Sequence, residues 1–167
     1  TVVQQLLKLF QVIRNMRTRE EDLDLFTVLN YPWIDVDALD VLKLSRIASS
    51  KRCSLFDLLL TKEHDKQLEQ PTKLHAFVDK LVSWSEADAS HTFPHWFEIV
   101  MNESGLLAYV MSGVSAMEQL NRLQSLFREV KLMASNQRSL NLESFLQSIA
   151  IMIEHHIPIH EDDVRIT

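Results

Sequence analysis

Apolar residues return every three or four positions through most of the chain. In residues 2–16, Val3, Leu6, Leu7, Phe10, Ile13 and Met16 fall on one face, with Gln4, Lys8, Gln11 and Asn15 opposite, the spacing of an amphipathic helix. Thr18, followed three residues later by Glu21, resembles a capping box that launches a short helix through Leu23, Phe26 and Leu29, stopped by Pro32. A third helix is predicted over 36–49, with Asp35 as its N-cap. Ser54 caps the brief helical turn LFDLLL, and residues 61–71 read as a polar connection. Pro71 suits the first turn of a helix carrying Leu74, Phe77, Val78, Leu81 and Trp84. A loop is expected over 85–92, after which Pro94 opens a helix with Trp96, Phe97, Val100 and Met101 that Gly105 ends. A short apolar segment runs up to Gly113, and the longest helix is predicted over 115–134. Asn136 to Ser139 breaks it, and the last helix runs from Leu142 to about His155, before Pro158.

Composition supports the same picture. Only two glycines and four prolines occur in 167 residues, as expected of a chain whose helix interiors exclude both. Hydrophobic residues make up 46% and charged residues 24%, enough apolar surface for a core. The expected fold is all-α: one domain over 1–167, an irregular bundle of about eight helices without internal repeats. The first residues are already in helical rhythm, and Val164-Arg165-Ile166-Thr167 alternates like the start of a β-strand. Both ends are therefore expected to continue into a longer protein, with 164–167 as a strand stub of its neighbour.

Charge and motifs narrow the chemistry. The net charge of −6 implies that any nucleic-acid contact rests on a local patch. No G-x-x-x-x-G-K-[ST] loop, G-x-G-x-x-G turn, H-E-x-x-H helix, G-x-S-x-G elbow or paired-cysteine site occurs, so the segment is expected to be non-catalytic, with no cofactor of its own. The single Cys53 excludes an internal disulfide and is compatible with the cytoplasm, the expected location. No apolar run reaches the ~18 residues of a membrane span.

Histidines and aromatics supply the remaining candidates. His91 and His95 are four residues apart, and His155, His156 and His160 lie near Glu161 and Asp162. Pro94 places a helix start between the first two, so they need not share a face, and Pro158 divides the second set; no metal site is expected. Trp84, Trp96, Phe97 and Phe127 are in register with helical core positions, whereas Trp33 lies in the elbow NYPWIDVDALD. Lys43, Arg46, Lys51 and Arg52 form a local cationic set that could contact phosphates; cations near a helix C-terminus are equally favoured with no ligand. Arg122, Arg128, Lys131 and Arg138 read as the solvated face of the long helix.

The order of segments LLKLFQVIRNM, EDLDLFTVLNYP, IDVDALDVLKL, SLFDLLL and NLESFLQSIA, running into VRIT, resembles the accessory 2B subdomain of UvrD/Rep-type superfamily-1 DNA helicases. The resemblance spans nearly the whole chain and is strongest over 20–59 and 141–153. It implies an all-helical insert in a RecA-like motor, regulatory and not itself catalytic, that contacts duplex DNA and gates unwinding. ATP and Mg would be handled by the motor domains of the parent protein, which would be the subdomain's other partner. The alternative is a helical protein–protein interaction module without DNA binding.

Members of that family carry P-x-x-G-I-G-D-x-x-L in the elbow, where glycines let backbone amides approach a duplex phosphate. The matching stretch here is Pro32-Trp33-Ile34-Asp35-Val36-Asp37-Ala38-Leu39, with Ile34 and Leu39 in place and Asp35 at the second glycine position. An aspartate that caps the helix occupies its free amides, so the elbow is expected to hold DNA poorly, or through Trp33. The DNA-contact candidates are therefore Trp33, Lys43, Arg46, Lys51 and Arg52.

Overall fold

The helix α1, Val2–Thr18, is buried almost all the way round. Val3, Leu6, Leu9, Phe10 and Ile13 are fully inaccessible and Val12 nearly so, which adds Leu9 and Val12 to the single face predicted from spacing. The computed structural model describes residues 1–18 and 24–155. Among them the chain continues as α2 Leu25–Leu29, α3 Ala38–Lys51, α4 Leu55–Leu59, α5 Pro71–Ala87, α6 Phe93–Glu103, α7 Leu106–Met111, α8 Ala116–Asn136 and α9 Leu142–Glu154, with one 3-10 turn at Asp65–Gln67 and no strand. α1 is wrapped by α2, α5, α8 and α9, which explains why its apolar stripe is wider than one face. The expected all-α bundle is thus present, with nine α-helices among the described residues. The Thr18–Glu21 capping box and the strand-like 164–167 lie outside the described residues.

An aromatic cluster forms the centre. The Phe10 ring lies 5.1 Å from Trp96, 5.3 Å from Phe97 and 6.2 Å from Phe145, and Phe93 lies 4.8 Å from Phe145. Tilted and edge-on pairs of this kind add to the roughly 1.5–3 kcal/mol that each fully buried large side chain contributes. All three indole N–H groups find acceptors: Trp96 Nε1 donates to the Trp84 carbonyl at 2.8 Å, Trp84 Nε1 to Glu103 Oε1 at 3.1 Å and Trp33 Nε1 to Gln5 Oε1 at 2.8 Å.

Helix boundaries follow local chemistry. Ser54 Oγ accepts from the Asp57 amide at the start of α4, and Asn141 and Ser144 form a reciprocal capping box on α9. Pro71 and Pro94 sit in the first turns of α5 and α6. Gly105 ends α6 at φ 87°, and a Cβ there would stand 3.0 Å from the Trp33 carbonyl oxygen, so the elbow and this turn are in close backbone contact. Two boundaries differ from expectation. α5 runs on through Ala87 into the predicted 85–92 loop, where Ser85 Oγ bonds back to the Val82 carbonyl instead of breaking the helix. α3 begins at Ala38, two residues later than predicted, for a reason that lies in the elbow.

Candidate nucleic-acid interface

The elbow turns without glycine by stacking short hydrogen-bonded turns. The Tyr31 amide donates to Val28, Ile34 to Tyr31 and Val36 to Ile34, each carbonyl 3.0 Å away. Trp33 and Ile34 are then drawn into the core at 5% and 4% exposure, so the chain is still packing inward where the helix was expected to begin. Asp37, not Asp35, is the cap: its Oδ1 accepts from the Leu39 amide at 2.9 Å and the Asp40 amide at 3.2 Å. Asp35 faces outward and pairs with Lys73 at 3.0 Å. The cap assignment to Asp35 is therefore corrected by two residues. A carboxylate still occupies the amides at the start of α3.

Trp33 is also corrected. Its indole is buried, its N–H is taken by Gln5, and its ring stacks on Tyr31 with centroids 5.6 Å apart. A side chain so enclosed has no face to offer a base, and Trp33 is removed from the DNA-contact set.

The cationic set lies along α3 and just beyond it. Lys43 Nζ donates to the Gln67 carbonyl at 3.0 Å and stands 3.8 Å from Glu69, and Lys51 Nζ stands 3.9 Å from Glu63 and 3.5 Å from His64 Nε2. Both lysines thereby tie α3 to the 61–70 connection, and their charge is partly met. Arg46 and Arg52 form no side-chain hydrogen bond or ion pair among the described residues, and both are exposed. Arg52 takes the left-handed conformation at φ 55°, closing α3 by a turn usually given to glycine. Arg46, Ser50, Lys51, His64 and Gln67 line an open hollow of about 340 Å³. The second basic set is internally engaged: Arg122 pairs with Glu118 at 2.9 Å, and Lys131 Nζ lies 5.0 Å over the Phe127 ring.

Two buried aspartates do work that local pattern did not reveal. Asp40, fully buried, accepts from the Glu69 amide at 2.7 Å and the Gln70 amide at 2.8 Å, at the N-terminus of α5. Asp88, also buried, accepts from the Leu142 amide at 3.2 Å at the N-terminus of α9. Each places a carboxylate against the positive end of a distant helix, one satisfying amides just before α5 and the other the first amide of α9. A signal for Asp40 existed, because 40, 44 and 47 share one helical stripe, with Leu44 in the core and Ile47 partly buried against it.

His75 Nε2 lies 2.8 Å and 2.9 Å from the two Asp65 oxygens, fastening the 3-10 turn to α5. Among the described residues no group of three or more His, Cys, Asp or Glu is placed to hold a metal ion. Of the C-terminal histidines, His155 is exposed at the end of α9, and His156 and His160 lie outside the described residues. No described helix is long and apolar enough to cross a membrane.

No family model and no curated protein matches this sequence.

Proposed function

We propose that this chain is the duplex-contacting, non-catalytic helical subdomain of a UvrD/Rep-like ATP-dependent DNA helicase, with ATP and Mg bound in motor domains elsewhere in the polypeptide. The carrying observation is the run of cations toward the C-terminal end of α3, with Arg46 and Lys51 lining an open hollow and Arg52 at the helix C-cap, the two arginines with unmet charge. Exposed cations with no internal partner serve a phosphate backbone better than the elbow does, where carboxylates occupy the amides. The contact is weak and non-specific, because Glu63 and Glu69 stand at its rim and the chain is acidic as a whole.

The test is fluorescence anisotropy of a labelled duplex titrated with the chain at several salt concentrations. Each phosphate neutralised adds about 0.9 to the slope of log affinity against log salt, so reversing both Arg46→Glu and Arg52→Glu lowers the slope by ~2 and weakens binding at low salt. An unchanged slope in the double variant would remove the α3 edge as the contact.

A second reading, a protein-interaction module, is favoured by one observation. Tyr109, Met111, Val114 and Met117 form an apolar ridge at the α7–α8 turn, with Met111 63%, Val114 107% and Met117 73% exposed. Loss of association with the parent's motor domains in a Val114→Asp, Met117→Asp chain, with duplex affinity unmoved by charge reversal at α3, would decide for that reading.

A further inference from the structure

The helix start at Pro94 falls between His91 and His95 in sequence, yet their rings lie together, with centroids 5.1 Å apart and planes 32° apart. The loop after α5 folds back, and His91 Nδ1 lies 3.0 Å from the Ala87 carbonyl oxygen. A carbonyl only accepts, so Nδ1 carries the proton and Nε2 of the neutral ring is left with its lone pair. That arrangement, one ring nitrogen anchored to a backbone carbonyl and the other open, is the one metal-ligating histidines adopt. His95, in the first turn of α6, is exposed and forms no hydrogen bond among the described residues.

We propose that His91 and His95 form a two-nitrogen site for a divalent first-row transition ion of the zinc, nickel or copper class, with water in the remaining positions. The spacing suits it. With metal–nitrogen bonds of about 2.0–2.1 Å and each ring centre a further ~1.1 Å behind its nitrogen, two imidazoles on a tetrahedral ion hold their centres ~5 Å apart. Imidazole pairs prefer these ions to Mg²⁺ or Ca²⁺, which take oxygen ligands. The positive end of α6 opposes a cation there only weakly. The ion would staple the α5–α6 loop to the first turn of α6. This inference is independent of any DNA contact.

Isothermal titration of the whole chain with zinc chloride, and separately nickel chloride, tests it. One ion per chain is expected to bind, and His91→Ala or His95→Ala should each weaken binding by ~10–100-fold or more, since even residues behind the ligands are worth that much. A chain with His155→Ala, His156→Ala and His160→Ala should keep the site, and the copper complex should show two equatorial imidazole nitrogens by electron paramagnetic resonance. Both single variants remove exposed side chains, and circular dichroism checks that they fold. No stoichiometric binding, or binding that survives the His91→Ala, His95→Ala double variant, would overturn the proposal.

Discussion

The elbow at 30–40 and the cationic edge at 43–52 adjoin along the chain, yet they dispose of their polar groups in opposite ways. In the elbow, the Trp33 indole, the Asp37 carboxylate and the Asp40 carboxylate are all matched inside the protein. On the edge, Lys43 and Lys51 are half-engaged with acids, and Arg46 and Arg52 point outward unmatched. The difference shows that a tryptophan in a loop can belong wholly to the interior. Buried groups must be satisfied within the chain and exposed ones need not be, so hydrogen-bonding capacity left over after folding is what the proposed contact rests on.

The largest effect that sharpens this contrast comes from Trp33→Ala. Emptying a site of this size and burial is expected to cost about 3–5 kcal/mol, and it also leaves Gln5 Oε1 without its donor. Urea unfolding measures the loss. Under conditions where the variant stays folded, duplex affinity should be that of the parent chain. A stability change below ~1 kcal/mol accompanied by lost DNA binding would return Trp33 to the interface and erase the contrast.

Next in size is Asp40→Ala. The substitution strips two short, charge-assisted hydrogen bonds and leaves the Glu69 and Gln70 amides unsatisfied, for an expected loss of about 2–3 kcal/mol. Asp40→Asn keeps one acceptor and should fall between. The same measurement on Arg46→Glu or Arg52→Glu should move stability by no more than ~0.5 kcal/mol, the range of exposed sites without partners. Comparable losses at Asp40 and Arg46 would mean that the two regions are not distinguished by internal satisfaction.

Much of this architecture is written in local pattern, and the failures share a cause. Ser54, Pro71, Pro94 and Gly105 all sit at the helix ends where their backbone preferences place them, and the spacing of the long helix carries through to Ala116–Asn136. Asp35 and Asp37 are equally good caps by residue type. The choice falls to Asp37 because Trp33 and Ile34 must first reach the core, a tertiary demand that propensity does not contain. Asp40 reads locally as a helpful charge near a helix start, and only the return of residues 69–70 makes it a buried acceptor. His91 meets His95 because the loop doubles back to Ala87, which no periodicity encodes. The four cations were legible as a set, whereas their division into two engaged and two open residues required the 61–70 connection to be in place.

The finest test of the elbow as an interior region is its tyrosine. Burial raises the Tyr31 hydroxyl above its ordinary 10.0, and the nearby Asp24 carboxylate adds to the rise by opposing a second negative charge. The folded state therefore holds the proton more tightly than the unfolded state does. The resulting stabilisation is complete below about pH 10 and is lost as pH climbs from there through the raised value. Tyr31→Phe keeps the ring that stacks on Trp33 and removes the ionisation. Denaturation midpoints of parent and variant, compared from about pH 9 to pH 11, should run parallel at the lower end, with the parent falling faster at the upper end. Arg46→Glu should leave that difference untouched, since the hydroxyl answers to burial and Asp24 and not to the charges on the α3 edge. Identical alkaline slopes for the parent and Tyr31→Phe would show Tyr31 titrating as an open group, and the elbow would then be less enclosed than its hydrogen bonds imply.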